Sequence, residues 1–174
     1  MSSTDIVNSG FVLSESTQAR FAREVAKYPA EQAQSAVMAC LSIVQQEQGW
    51  VSREAEDAIA HYLGMPAIAV YEVTTFYNMY NQRKLGKFKL NVCTNLPCQL
   101  RDGQKALEHL CSKLGVEEGG TTADGVFTVQ KSECLGACAD APVMLVNDRQ
   151  MCSFMSAQRL DELVDALKTH AAKN

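Results

Sequence analysis

The chain has 174 residues, 47% of them apolar and 21% charged, and 16 basic against 20 acidic side chains leave a net charge of −4. That is the composition of a folded globular protein, and with no basic stripe it argues against nucleic acid as a partner. No apolar run approaches the roughly 18 residues that cross a bilayer. The opening MSSTDIVNSGFVLSES has neither a basic start with an apolar stretch nor an Arg-rich leader. The expectation is a cytoplasmic protein, where reduced thiols make seven cysteines an argument for metal ligation before disulfides.

The first 85 or so residues read as helical. Ser14 or Ser16 can cap a helix with Phe21, Val25 and Tyr28 on one face. Pro29 suits the first turn of a second helix, in which Ala33, Ala36, Val37, Cys40, Leu41 and Val44 keep a helical period up to Gly49. Ser52 can cap a third, with Ala55, Ala58, Ile59, Tyr62 and Leu63 on one side and Gly64 as its stop. Pro66 opens a fourth segment through Phe76, leading into the apolar run Phe76-Tyr77-Asn78-Met79-Tyr80. Residues 1–85 are thus expected to form a helical bundle that docks on something else.

From Gly86 the pattern changes. Residues 87–93 alternate polar and apolar side chains like a half-buried strand. Leu100, Leu107, Leu110, Cys111 and Leu114 mark a helix, and 126–131, 143–147 and 151–154 read as three further strands. Asn147-Asp148-Arg149 supplies the turn between the last two. Ser156 can cap a closing helix carrying Leu160, Leu163, Val164 and Leu167. The order β-α-β-β-β-α over residues 86–174 fits a small thioredoxin-like sheet covered by helices, so the fold class is α+β.

Four of the cysteines form two short groups, Cys93/Cys98 and Cys134/Cys138, with 35 residues between the groups. All four fall at strand ends or in the loops that follow. Parallel pairing of the first two strands would bring both loops to one sheet edge. A helix starting beside Cys98 would turn its N–H groups toward the site, and Pro97 and Gly136 would bend the loops so that amides approach sulfur. Four thiolates can hold zinc or an iron–sulfur cluster. Four and three intervening residues do not exclude zinc, but neither pair has the two-residue gap zinc knuckles favour. The first spacing matches the opening of the plant-type 2Fe-2S pattern. Without a C-x-x-C, a dithiol oxidoreductase is disfavoured.

Asp124-Gly-Val-Phe-Thr128, five residues, and then Cys134-Leu-Gly-Ala-Cys138-Ala-Asp-Ala-Pro142 resemble the signature of a known family, as does Cys93-Thr-Asn-Leu-Pro-Cys98. That family is the small 2Fe-2S subunit of respiratory NADH:quinone oxidoreductase, complex I. The resemblance extends to Thr75-Phe-Tyr-Asn-Met-Tyr80 and the helical half. It implies a thioredoxin-like 2Fe-2S ferredoxin domain whose ligands are Cys93, Cys98, Cys134 and Cys138. It implies an electron-transfer role beside a larger subunit that binds FMN and NADH, among the other subunits of the peripheral arm. The chain would then sit at the inner membrane through its complex and would not be catalytic alone. Equivalent subunits serve NAD-linked hydrogenases and formate dehydrogenases, and a zinc-stabilised interaction module is the reading from a different class.

Other residues invite plainer readings. Cys40, Cys111 and Cys152 lie among apolar neighbours and read as packed thiols. His61, His109 and His170 stand singly, and Trp50 reads as an anchor between two helices. The acidic residues of 53–57 look like a solvated helix start. No dinucleotide or phosphate-loop fingerprint and no nucleophile–base pair is present, so no catalytic residue is assigned.

Overall fold

The structure is a computed structural model that describes residues 11–173. The first ten residues of the segment read for a leader lie outside that range. The chain divides between Lys84 and Leu85 into two compact units.

The first unit is helical: α1 (Glu15–Val25), a 3-10 stretch (Ala30–Ala36), α2 (Val37–Gln48), α3 (Arg53–Leu63) and α4 (Ala67–Phe76). Its boundaries follow from local chemistry. The Ser14 and Ser52 hydroxyls accept the N–H groups of Thr17 and Ala55, satisfying donors the first turn leaves free. Gly49 and Gly64 end α2 and α3 in the left-handed conformation that a side chain would resist. Phe21, Cys40, Leu41, Val44, Ile59, Leu63 and Val70 form the core. Each large apolar side chain buried there contributes about 1.5–3 kcal/mol.

Four expectations for this half need correction. The helix capped by Ser14 stops at Val25, so Tyr28 lies beyond it and is exposed. The second helix begins as a 3-10 stretch, with Gln32 outside helical geometry, and becomes α-helical only at Val37. Trp50 is half-buried, and its neighbour Val51 is the residue that enters the core. Glu56, read as solvated, is buried: the Thr74 hydroxyl donates to one of its oxygens and Arg53 pairs with the other at 3.0 Å. Charge patterning along α3 cannot reveal a partner that arrives from α4. In the final segment Phe76 is 80% exposed, whereas Tyr80 is buried and its hydroxyl donates to the Met38 carbonyl.

The second unit holds a four-stranded sheet of order β2-β1-β3-β4: β1 (Phe88–Cys93), β2 (Phe127–Ser132), β3 (Met144–Val146) and β4 (Gln150–Cys152). Strand β1 runs parallel to β2, from Phe88 opposite Phe127 to Cys93 opposite Ser132, and antiparallel to β3. The parallel crossover is made by α5 (Leu96–Gln99) and α6 (Gly103–Leu114), and α7 (Ala157–Ala172) closes the unit with Ser156 as its cap. Leu90, Leu107, Leu110, Phe127, Val129, Met144, Leu160 and Val164 fill the core.

Here too the structure departs from the simple pattern. Every residue of β1 is buried, not alternate ones, because it is a central strand. Its polar residues are matched by the β3–β4 turn: Lys89 Nζ lies 2.6 Å from Asp148, and the Asn91 amide also donates to Asp148. Asn147 and Asp148 take positive φ, and Arg149 N–H bonds back to Val146, a tight turn within the three-residue loop between the paired Val146 and Gln150. Leu100 does not belong to the long helix; it sits between α5 and α6 and is 78% exposed. Among the described residues no helix is long and apolar enough to cross a membrane.

Candidate metal centre

Parallel β1 and β2 end at the same edge of the sheet, and the four clustered cysteines lie there. Cys93 is the last residue of β1, and Cys98 lies in the single turn of α5 just beyond it. Both are buried in a small cluster with Ala141 and Val143, against which Leu135 and Ala137 pack. Cys134 follows the end of β2 by two residues, and Cys138 opens a 3-10 turn; both are exposed. The site therefore has one buried pair of thiols and one facing solvent.

Within the exposed pair the sulfurs are 3.4 Å apart. Two thiolates on one tetrahedral ion with bonds of about 2.3 Å stand about 3.8 Å apart, so a small adjustment seats a metal between them. Within the buried pair Cys98 lies close enough to Cys93 for that thiol to help raise its pKa. Among the described residues no three His, Cys, Asp or Glu side chains gather closely enough to hold one metal ion, so the thiols stand as two pairs rather than as one cage. A donor set of four soft thiols fits a 2Fe-2S group, which Cys93, Cys98, Cys134 and Cys138 would hold.

The surroundings bias these thiols differently. Gly136, at φ +79°, turns its N–H onto Cys134 Sγ at 3.4 Å, and this bond together with the Cys138 thiol lowers the pKa of Cys134. Burial raises that of Cys98, against a hydrogen bond from the Val143 backbone. Cys138 is raised by its bond with Cys134. The sequence pattern points to the Gly136 amide. It also places a helix start beside Cys98, whereas Cys98 lies within α5 and the longer helix starts only at Gly103. The contribution of Val143 has no local signal because it comes from the β3 side of the sheet, 45 positions along the chain.

The remaining cysteines stay out of the site. Cys40 is buried in the helical unit, where burial pushes its thiol up to about 12; Cys111 and Cys152 are half-buried and also raised by burial. His109 lies 2.8 Å from Asp161, so it is not isolated as its sequence context implied.

The fold and its thiol edge define a small iron–sulfur protein on a thioredoxin-like scaffold. Residues 21–168 match the family model of the thioredoxin-like [2Fe-2S] ferredoxins, and the chain belongs to that family, whose cofactor is a 2Fe-2S cluster. Its relatives include NADH-quinone oxidoreductase subunit 2 of Thermus thermophilus, 40% identical over 82% of this chain and 79% of that protein. An NADH-quinone oxidoreductase subunit of Rickettsia conorii is 37% identical over 83% of this chain and 86% of its own length. The mitochondrial NADH dehydrogenase [ubiquinone] flavoprotein 2 of Dictyostelium discoideum is 40% identical over 84% of this chain, which spans only 59% of that longer protein. Among solved structures, an NAD+-reducing [NiFe]-hydrogenase in its air-oxidized state superposes with a TM-score of 0.66 at 19% identity, covering 78% of this chain and 23% of that one. At that identity the likeness is one of fold.

The contrast between Cys134 and Cys40 is measurable in the cluster-free chain. A lowered pKa means more thiolate at neutral pH, so Cys134 should alkylate readily with iodoacetamide at pH 7, and its rate should level off below the ordinary thiol value of 9.0. Cys40 should stay unmodified until the helical unit is unfolded. Mass mapping of modified peptides reads both.

Proposed function

We propose that this chain is the electron-transfer subunit of an NADH-quinone oxidoreductase, with Cys93, Cys98, Cys134 and Cys138 as ligands of its 2Fe-2S cluster. When bound, such a cluster takes up and returns one electron at a time. The observation that carries the reading is the meeting of two thiol pairs at the one sheet edge that parallel β1 and β2 create. Each part of that edge has a task. The packing of Ala141, Val143 and Leu135 keeps water from Cys93 and Cys98. The Gly136 N–H donates to Cys134 Sγ, and the Val143 backbone acts to lower the pKa of Cys98, where thiolate charge must be held. Such bonds to sulfur favour the reduced, more negative state and so set the potential.

In this reading the partner is the subunit that binds FMN and NADH, and the cluster lies close enough to that flavin to exchange electrons with it. Hydride chemistry belongs to that partner, and the assembly holds the chain at the inner membrane without its insertion. The names of the curated relatives favour a quinone-linked complex over a hydrogenase or formate dehydrogenase. The helical unit is the docking element. Its last segment exposes Phe76, Tyr77 and Met79, and Ile68 on α4 is 62% exposed. So much large apolar surface in so small a unit is suited to a protein partner.

The ligand assignment is tested by substitution. Replacing any of Cys93, Cys98, Cys134 or Cys138 with Ala should abolish or severely deplete the cluster's visible absorption, while Cys40→Ala, Cys111→Ala and Cys152→Ala should leave it unchanged. Loss of the spectrum in one of those three controls would show that the ligands are misassigned.

Docking is tested separately. A fragment beginning at Gly86 retains all four thiols and should bind its cluster, yet fail to co-purify with the flavin-binding subunit. Normal assembly of that fragment would refute the docking role of the helical unit.

A further inference from the structure

We infer that Gly103 is a positioning residue for the buried ligand pair, holding Cys93 and Cys98 at their working separation because it has no side chain. The inference rests on the reading of those two cysteines as ligands. Gly103 is the first residue of α6 and is buried. A β-carbon added to it would lie 2.8 Å from the carbonyl oxygen of Cys93, 2.8 Å from that of Cys98, and 2.9 Å from the Cys98 carbonyl carbon. All three are backbone atoms, so no side chain can swing aside to make room. Its φ is not in the left-handed region, so any residue could adopt the conformation, and it is the space that excludes one. Glycine is also a poor helix former, which makes its place in the first turn of α6 a cost that local propensity does not explain.

The three segments that meet at Gly103 are not equally free to yield. Cys93 is held on both sides, its N–H bonded to the Val143 carbonyl at 3.0 Å and the next N–H, of Thr94, bonded to the Ser132 carbonyl at 3.0 Å. Helix α6 is fixed by Leu107 and Leu110 in the core. The short turn of α5 has less to hold it. Its Cys98 carbonyl is tied to Arg101 N–H within the same connection, and the flanking Leu96 and Leu100 are exposed. A methyl group at position 103 therefore displaces Cys98 relative to Cys93. Relieving 2.8 Å contacts to the 3.4 Å of ordinary van der Waals packing takes a shift of about 0.6 Å, beyond the roughly 0.5 Å within which a ligand constellation must be held.

Gly86 supplies the control. A β-carbon there would lie 2.8 Å from the Phe127 backbone, an equal clash at the other end of the β1–β2 ladder. That end is about 16 Å from Cys93 at about 3.3 Å per residue. The experiment compares full-length wild type, Gly103→Ala and Gly86→Ala by bound iron, midpoint potential, the electron paramagnetic resonance spectrum of the reduced form, and thermal unfolding without cluster. Gly103→Ala should shift the potential and the spectrum, or weaken cluster retention on the order of 10-fold, the usual scale for changes just outside the ligands. Gly86→Ala should lower the unfolding temperature and leave potential and spectrum at wild-type values. Full iron with unaltered spectrum and potential in Gly103→Ala would overturn the inference. So would equal cluster changes in both variants. A Gly103→Ala chain that cannot fold while Gly86→Ala can would overturn it as well, since Gly103 would then serve the whole fold and not the thiol pair. A wild-type chain without a 2Fe-2S cluster would instead defeat the ligand reading itself, before any variant is compared.

Discussion

Parallel pairing of β1 with β2 is the constraint on which the rest of the second unit depends. Two parallel strands must be joined by a crossover, and both must leave the sheet at the same edge. The crossover here carries Cys98 in α5 and the helix α6 that packs over the sheet, while the loop beyond β2 carries Cys134 and Cys138. An antiparallel pair would have sent the two cysteine loops to opposite ends. With the register fixed at Cys93 opposite Ser132, the buried Cys93/Cys98 pair and the exposed Cys134/Cys138 pair, from three separate segments, lie at the same end of the two strands.

The same arrangement divides the site into two environments. Cys93 and Cys98 are enclosed by Ala141 and Val143, and Cys134 and Cys138 face solvent. Burying thiolates without partners is costly, and at Cys98 the Val143 backbone offsets part of that cost. The Gly136 amide reaches Cys134 because the left-handed turn is free for glycine, and Val143 reaches Cys98 because β3 lies beside β1.

Much of this could be read from the chain itself, wherever the cause is local. Ser14, Ser52 and Ser156 cap helices, Gly49 and Gly64 end them, and the four clustered cysteines stand out by their spacing. The resemblance carried by the segment from Asp124 to Pro142 is upheld by the family match. What escaped has its partner far along the chain. The alternation of Lys89 and Asn91 implied one wet face of β1, but Asp148 covers them from the β3–β4 turn. Glu56 looked solvated because Thr74 belongs to the next helix. Leu100 kept a helical spacing with Leu107 that Asp102, at φ +66°, breaks. Gly103 drew no attention, since a glycine required by a neighbour's carbonyl has no sequence signature.

The most direct test is the metal content of the purified full-length chain. A 2Fe-2S site calls for about two irons and two acid-labile sulfides per polypeptide, with an electron paramagnetic resonance signal that appears on one-electron reduction. One zinc per chain with no sulfide would contradict it, because the four thiols would then hold a structural ion and the chain would carry no electrons.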